Sequence, residues 1–161
     1  MCKWLLVSLL FSCVAIADEM LVADSVLVDK SERKLYLIRD GVKYQEFGIA
    51  LGPRPRGHKL HMGDERTPEG RYQLDFKYEN SDFYKAIHIS YPNEQDVMRA
   101  AEHGVDPGGS IMIHGMPNKA TLPSSLIQKF NWTDGCIAVT NKEMDEIWHA
   151  VVPGTPIEIR P

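Results

Sequence analysis

From residue 25 onward, apolar and polar positions trade places over short stretches, each closed by a turn signal. Residues 25–28 form a first apolar run, and 34–38 alternate with the period of two that marks a half-buried strand. Asp40 and Gly41 form a hairpin signal, since both tolerate the positive φ of a two-residue turn, and 42–50 is the returning strand. Residues 52–70 hold four glycines and three prolines and are expected to be loop. Strand alternation resumes over 71–79 and 85–92. A helix is expected over 93–104, with Asn93 as N-cap and Gly104 as stop. A short buried strand ends at His114, 123–130 is expected to be a short helix, and 136–139 is another short strand. Thr140 and Glu143 are spaced as a capping box that opens a helix over 143–151, and 153–159 is a turn and last strand. Many short strands with a few short helices predict a mainly β domain, a sandwich or barrel with helical decoration.

The N-terminus breaks this pattern. Lys3 precedes an apolar run from Trp4 to Ile16, too short to span a membrane, and Ala15-Ile16-Ala17 is an A-x-A cleavage site. Residues 1–17 therefore read as a secretory signal peptide, and 18–161 as one domain of an exported, periplasmic protein. A rival reading makes Leu10–Cys13 a lipoprotein box with Cys13 as lipid anchor, but Phe11 fits such a box poorly. The formal charge of −4 gives no reason to expect nucleic acid as a partner.

Cleavage removes Cys2 and Cys13 and leaves Cys136 as the single thiol in a disulfide-permissive compartment. Such a thiol is a buried hydrophobe, an intermolecular bridge or a reactive group. Cys136 stands where Gly135 enters the strand, a place where backbone N–H groups can face a developing oxyanion. A cysteine nucleophile needs a base, because a free thiol titrates near ~8.5. His114, at a strand end before Gly115, is the best candidate, and the segment between the two is long enough to leave one strand and return beside it. His58 and His61 form an H-x-x-H followed by Asp64 and Glu65, a partial metal pattern in a loop with no further ligand pair, so neither metal nor cofactor is expected. His88 shares a strand face with Ala86 and Ser90 and is expected to be structural or to line a cleft. His103 falls in the last turn of a helix, where a cation is favoured, and His149 is expected to be solvated.

Taken together, His114-Gly115, Thr133-Asp134-Gly135-Cys136 and the turn 63–72 with its Thr67-Pro68-x-Gly70 resemble the L,D-transpeptidase catalytic domain family (YkuD-type), cysteine enzymes of bacterial peptidoglycan. The first hairpin and last strand are similar too, so the resemblance covers nearly the whole mature chain and implies a β-sandwich or barrel of mixed strands with a few short helices. It implies Cys136 as nucleophile, His114 as general base, the Gly135 backbone as oxyanion donor and Gly115 as the loop that orients the histidine. It also implies peptidoglycan stem peptides as substrate, attacked at the L-centre carbonyl of diaminopimelate to give a thioester. The acceptor is then a stem amine or a wall-anchored protein; water would make the enzyme a carboxypeptidase or amidase instead. Thr133, Asp134, His88 and Arg66 are the expected substrate contacts. Arg54, Arg56 and Lys59 face stem carboxylates or simply solvent.

Three features depart from the family pattern. Asp134 replaces the commonest histidine, Ala138 replaces an Arg or Asn, and the His-to-Cys segment is longer. Two readings stand outside this one: an exported wall-binding protein with an inert thiol, and a zinc peptidase built on His58 and His61.

Overall fold

Eight strands and three short helices make up the computed structural model, which describes residues 21–161. The expected signal peptide and Cys13 lie outside the described residues. In chain order the elements are β1 (Ser25–Asp29), β2 (Lys34–Arg39), β3 (Val42–Gly48), β4 (Gly70–Ser81), β5 (Tyr84–Ile89), α1 (Glu94–Glu102), β6 (Met112–His114), α2 (Ser124–Ile127), β7 (Ile137–Ala138), α3 (Asn141–Ala150) and β8 (Thr155–Arg160).

Local chemistry explains most of these boundaries. Asp40 and Gly41 both take positive φ (50° and 75°), as the tight β2–β3 hairpin requires. Asn93 caps α1 by accepting the Asp96 N–H, and the Asp96 side chain returns to the Asn93 N–H. Thr140 and Glu143 do the same for α3. Residues 123–130 shorten to the four residues of α2. Its N-cap is Pro123, which offers no side-chain acceptor, and no α2 residue is buried, so neither capping nor packing extends the helix.

All eight strands join one sheet in the order β3-β2-β1-β8-β4-β5-β6-β7. The β1–β8 and β6–β7 pairs are parallel and the others antiparallel. The fold is thus mainly β, as the alternation predicts, and its strands are mixed, as the family resemblance implies. The outermost strands, β3 and β7, are brought back together just past β3. Ala50 and Ala138 exchange both backbone hydrogen bonds at 2.9 Å, so the sheet curls round to meet itself. One core fills the curl. It is built from Val26, Leu35, Leu74, Ile87, Ile113, Ile137 and Ile157 on the strands and from Met144 and Ile147 on α3.

Strand side chains alternate between faces. With Ile87, Ile113 and Ile137 turned to the core, the opposite face of β5–β6–β7 carries His88, Met112, His114 and Ala138. Cys136, one residue before β7, continues that face.

The irregular segment 52–70 is held by buried charge. Lys30, just after β1 and 4% exposed, donates to Gly57 O (2.8 Å), Thr67 O (3.0 Å) and Glu69 Oε1 (2.7 Å). Burial lowers its pKa, while Glu69 pulls it back up. Asp64, also buried, pairs with Lys59 at 2.8 Å and accepts the N–H groups of Leu60, His61 and Arg66. Removing one partner of such a buried pair strands the other. Lys30→Met should therefore destabilise the fold by about 3 kcal/mol, read as a lower urea midpoint with an unchanged slope.

Candidate active site

The cysteine turn is packed at backbone contact between two other segments. The Thr133 N–H reaches Leu51 O (3.3 Å), and the buried Thr133 hydroxyl donates to Cys136 O (2.7 Å). On the other side, the Thr67 hydroxyl donates to Gly135 O (2.8 Å). Gly135 has φ +111°, and a Cβ there would lie 2.5 Å from Arg66 O. Gly52 is equally confined, since its Cβ would stand 2.2 Å from Glu65 O and 2.7 Å from Thr133 O. Only glycine meets both the dihedral and the space at 135.

His114 ends β6, buried on the same face as the thiol. Its Nδ1 lies 2.7 Å from Gly115 O. A carbonyl only accepts, so Nδ1 carries the proton and Nε2 is left as the basic nitrogen. Phe83 packs on the ring at 4.5 Å between centroids, and Trp132 meets it edge-on at 5.5 Å. Burial lowers the His114 pKa, and the bond to Gly115 opposes that in part. Gly115 must be small, because a Cβ would come within 2.7 Å of Asn141 Oδ1.

The parallel register brings the two reactive groups together. Ile113 pairs with Ile137 and His114 with Ala138, which sets Cys136 beside Met112. His114 is then one strand over and two residues along, on the same face. The partly exposed thiol donates to Ser110 O at 3.6 Å. Burial pushes its pKa above the ordinary thiol value. The Met112 N–H lowers it, the Asp134 carboxylate raises it and the Lys59 ammonium lowers it, in decreasing weight. The resting pair is neutral thiol and neutral imidazole, and the thiol must lose its proton to a base during attack.

The model of the L,D-transpeptidase catalytic domain (YkuD) matches residues 23–159. The chain belongs to this family.

Among its relatives is the YafK protein of Escherichia coli (strain K12), which carries an L,D-transpeptidase assignment. It is 34% identical over 118 residues, or 72% of this chain and 38% of that protein. The helical cell shape determining protein Pgp2 of Campylobacter jejuni superposes with a TM-score of 0.63 at 28% identity, over 89% of this chain and 52% of that one. An L,D-transpeptidase of Enterococcus faecium shares the fold at 16% identity and TM-score 0.56, over 86% of this chain and 50% of that one. The chain thus spans about half, or less, of the relatives it matches.

Within this L,D-transpeptidase domain the expected contact residues fall in different places. Asp134 is exposed beside Cys136, in a groove shared with Lys59, Met62, Glu65 and Gly109. Thr133 is buried in the turn. Arg66 offers its backbone to Gly135, while its guanidinium lies near Gly57. His88 lies two strands from Cys136 on the same face, with Nδ1 2.7 Å from Asp75. The loop histidines diverge: His58 Nδ1 accepts the Glu69 N–H (3.0 Å) and its Nε2 lies 3.0 Å from Asp96, whereas His61 Nδ1 faces Met62 O (2.8 Å). No group of three or more His, Cys, Asp and Glu side chains is arranged to hold a metal among the described residues. His149 is exposed, and His103 Nδ1 donates to Arg99 O (2.8 Å) at the end of α1.

The family departures have a structural counterpart. Ala138 is buried, and its carbonyl accepts Gln128 Nε2 (2.7 Å), which also reaches Gly48 O (3.1 Å). Gln128 comes from the lengthened segment, so the extra residues help tie β7 to β3. Sequence reasoning missed Trp132, Phe83, Thr67 and Asp75 as members or supports of the site. Thr67 sits inside the Thr-Pro-x-Gly turn, and Trp132 next to the cysteine motif, so proximity to a motif was their only signal.

Two outcomes follow. Gly135→Ala should abolish acylation of Cys136 and lower the melting temperature, whereas Gly48→Ala, with open space and no positive φ, should leave acylation intact. The raised thiol pKa should appear in alkylation by iodoacetamide. The rate for native protein should rise at a higher pH than that for the urea-unfolded chain.

Proposed function

We propose that the protein is an exported cysteine L,D-transpeptidase that acts on diaminopimelate-containing peptidoglycan stem peptides through a Cys136 thioester. The observation that carries this reading is the His114 ring. Its Nδ1–H is held by the Gly115 carbonyl, which leaves Nε2 basic on a residue that shares its strand face with the thiol.

The steps follow from that geometry. His114 Nε2 takes the thiol proton as sulfur attacks the L-centre carbonyl of diaminopimelate. The backbone N–H groups at Gly135 and Cys136 receive the oxyanion. The C–N bond to the terminal D-alanine breaks, and the imidazolium returns its proton to the departing amine. An acceptor amine attacks the thioester, gives its proton to His114 and releases the thiol. A low histidine pKa suits this cycle, because the base is unprotonated at neutral pH. The acid limb of acylation should lie below pH 6.5, the ordinary histidine value. Export rests on the N-terminal leader. No helix among the described residues is long and apolar enough to cross a membrane.

Incubation of the protein with disaccharide tetrapeptide, followed by mass spectrometry, tests the proposal. Cross-linked dimer with a thioester on Cys136, both lost in Cys136→Ala, is the expected result. Tripeptide without dimer would assign the hydrolytic reaction instead. Absence of a thioester and of both products would overturn the tetrapeptide donor and direct attention to a wall-anchored protein as substrate.

A further inference from the structure

The outer face of β4 and β5 carries a group that the reaction above does not use. Between the pairs Leu74–Ile89 and Lys77–Ile87, β4 has two residues where β5 has one. This is a β-bulge, and it turns both Asp75 and Phe76 onto His88. Asp75 Oδ1 lies 2.7 Å from His88 Nδ1. Phe76 stacks flat on the imidazole, with centroids 4.3 Å apart and planes 14° apart. Tyr78 meets Phe76 edge-on at 4.8 Å. The aromatic pair is open to solvent (Phe76 39%, Tyr78 44% exposed), and so is Asp75 at 37%.

Three features of this group point to a cation. His88 Nδ1 is occupied by Asp75, which leaves Nε2 without a hydrogen-bond partner among the described residues. Asp75 forms no ion pair with Lys or Arg among the described residues. The lysines nearest in sequence turn to the opposite face, Lys77 to Trp148 O and Lys85 to Asp145. A carboxylate, an imidazole acceptor and two aromatic rings together suit an ammonium ion.

The group also stands at a definite place relative to the thiol. His88 pairs with Met112, and Met112 is beside Cys136, so the three form one row across β5, β6 and β7. Strand spacing puts His88 and Cys136 about 10 Å apart. In an extended diamino acid the side-chain nitrogen lies six bonds from the main-chain carbonyl carbon, roughly 7.5 Å away. A hydrogen bond closes the remaining gap.

We infer that His88, held by Asp75 and Phe76, positions the donor stem peptide by binding the side-chain ammonium of its diamino acid, with the side chain lying over Met112. This assignment rests on the stem-peptide reading above and names His88 as a positioning residue.

The test compares a tetrapeptide donor with the same donor acetylated on the side-chain amine. For the full chain, acetylation should raise the KM of thioester formation about tenfold and leave kcat within about twofold. His88→Gln and Asp75→Asn should raise KM for the free amine and erase the difference between the donors. Calorimetric binding of both donors to Cys136→Ala, with and without His88→Gln, reads the same contact without turnover. A preference for the free amine that depends on His88 supports the assignment even if no thioester forms, which would then count against the catalytic reading alone. An equal response to both donors, or a preference that survives His88→Gln in a protein of unchanged melting temperature, overturns it.

Discussion

Two parallel residue pairs, Ile113 with Ile137 and His114 with Ala138, set the spacing and facing of the thiol and the imidazole. Strand pairing is an all-or-none matter of register, because a slip by one residue turns every side chain to the other face. Here a slip would send Cys136 to the core side and Ile137 to the cleft. The buried isoleucines on one face therefore hold the chemistry on the other. So short a pairing does not stand alone. The Ala50–Ala138 bridge, the Gln128 amide and the glycine-tight packing of the turn against residues 50–52 and 65–67 support it from outside the pair.

The same packing shapes the electrostatics. Burial penalises charge on both members of the pair, so the thiol is held protonated and the imidazole neutral. Of the two charged side chains that act on the sulfur, only the Lys59 ammonium favours a thiolate, and the Asp134 carboxylate opposes it. A thiol in this state is a weak nucleophile until a base takes its proton. The thiol's acceptor in this structure is Ser110 O.

Around this centre, loop walls are made rigid by polar groups rather than by regular structure. Lys30 and Asp64 each satisfy several backbone groups from a single buried charge, so 52–70 keeps its course without a helix or strand. Their position matters because Arg66 and Thr67, which confine Gly135, belong to that segment.

Much of this was written locally. The period-two alternation marked the strands, Asp40-Gly41 the hairpin, and Asn93 and Thr140 the helix caps, because each depends on neighbours within a few residues. Cys136 and His114 stood out as a nucleophile and a base at strand ends next to glycines. The length of α2 was not legible, since a short helix survives on what it buries and α2 buries nothing. Nor was the role of Lys30, whose partners lie 27 to 39 residues away. Asp75 and His88 meet only because a bulge in β4 shifts the register, and alternation within one strand carries no record of its partner's irregularity. The sequence by itself determined which residues face inward and which side chains are candidates for chemistry, since both follow from local pattern and side-chain type. The tertiary structure alone decided which strands pair, in what register, and so which side chains share the cleft, because those contacts join segments far apart in the chain.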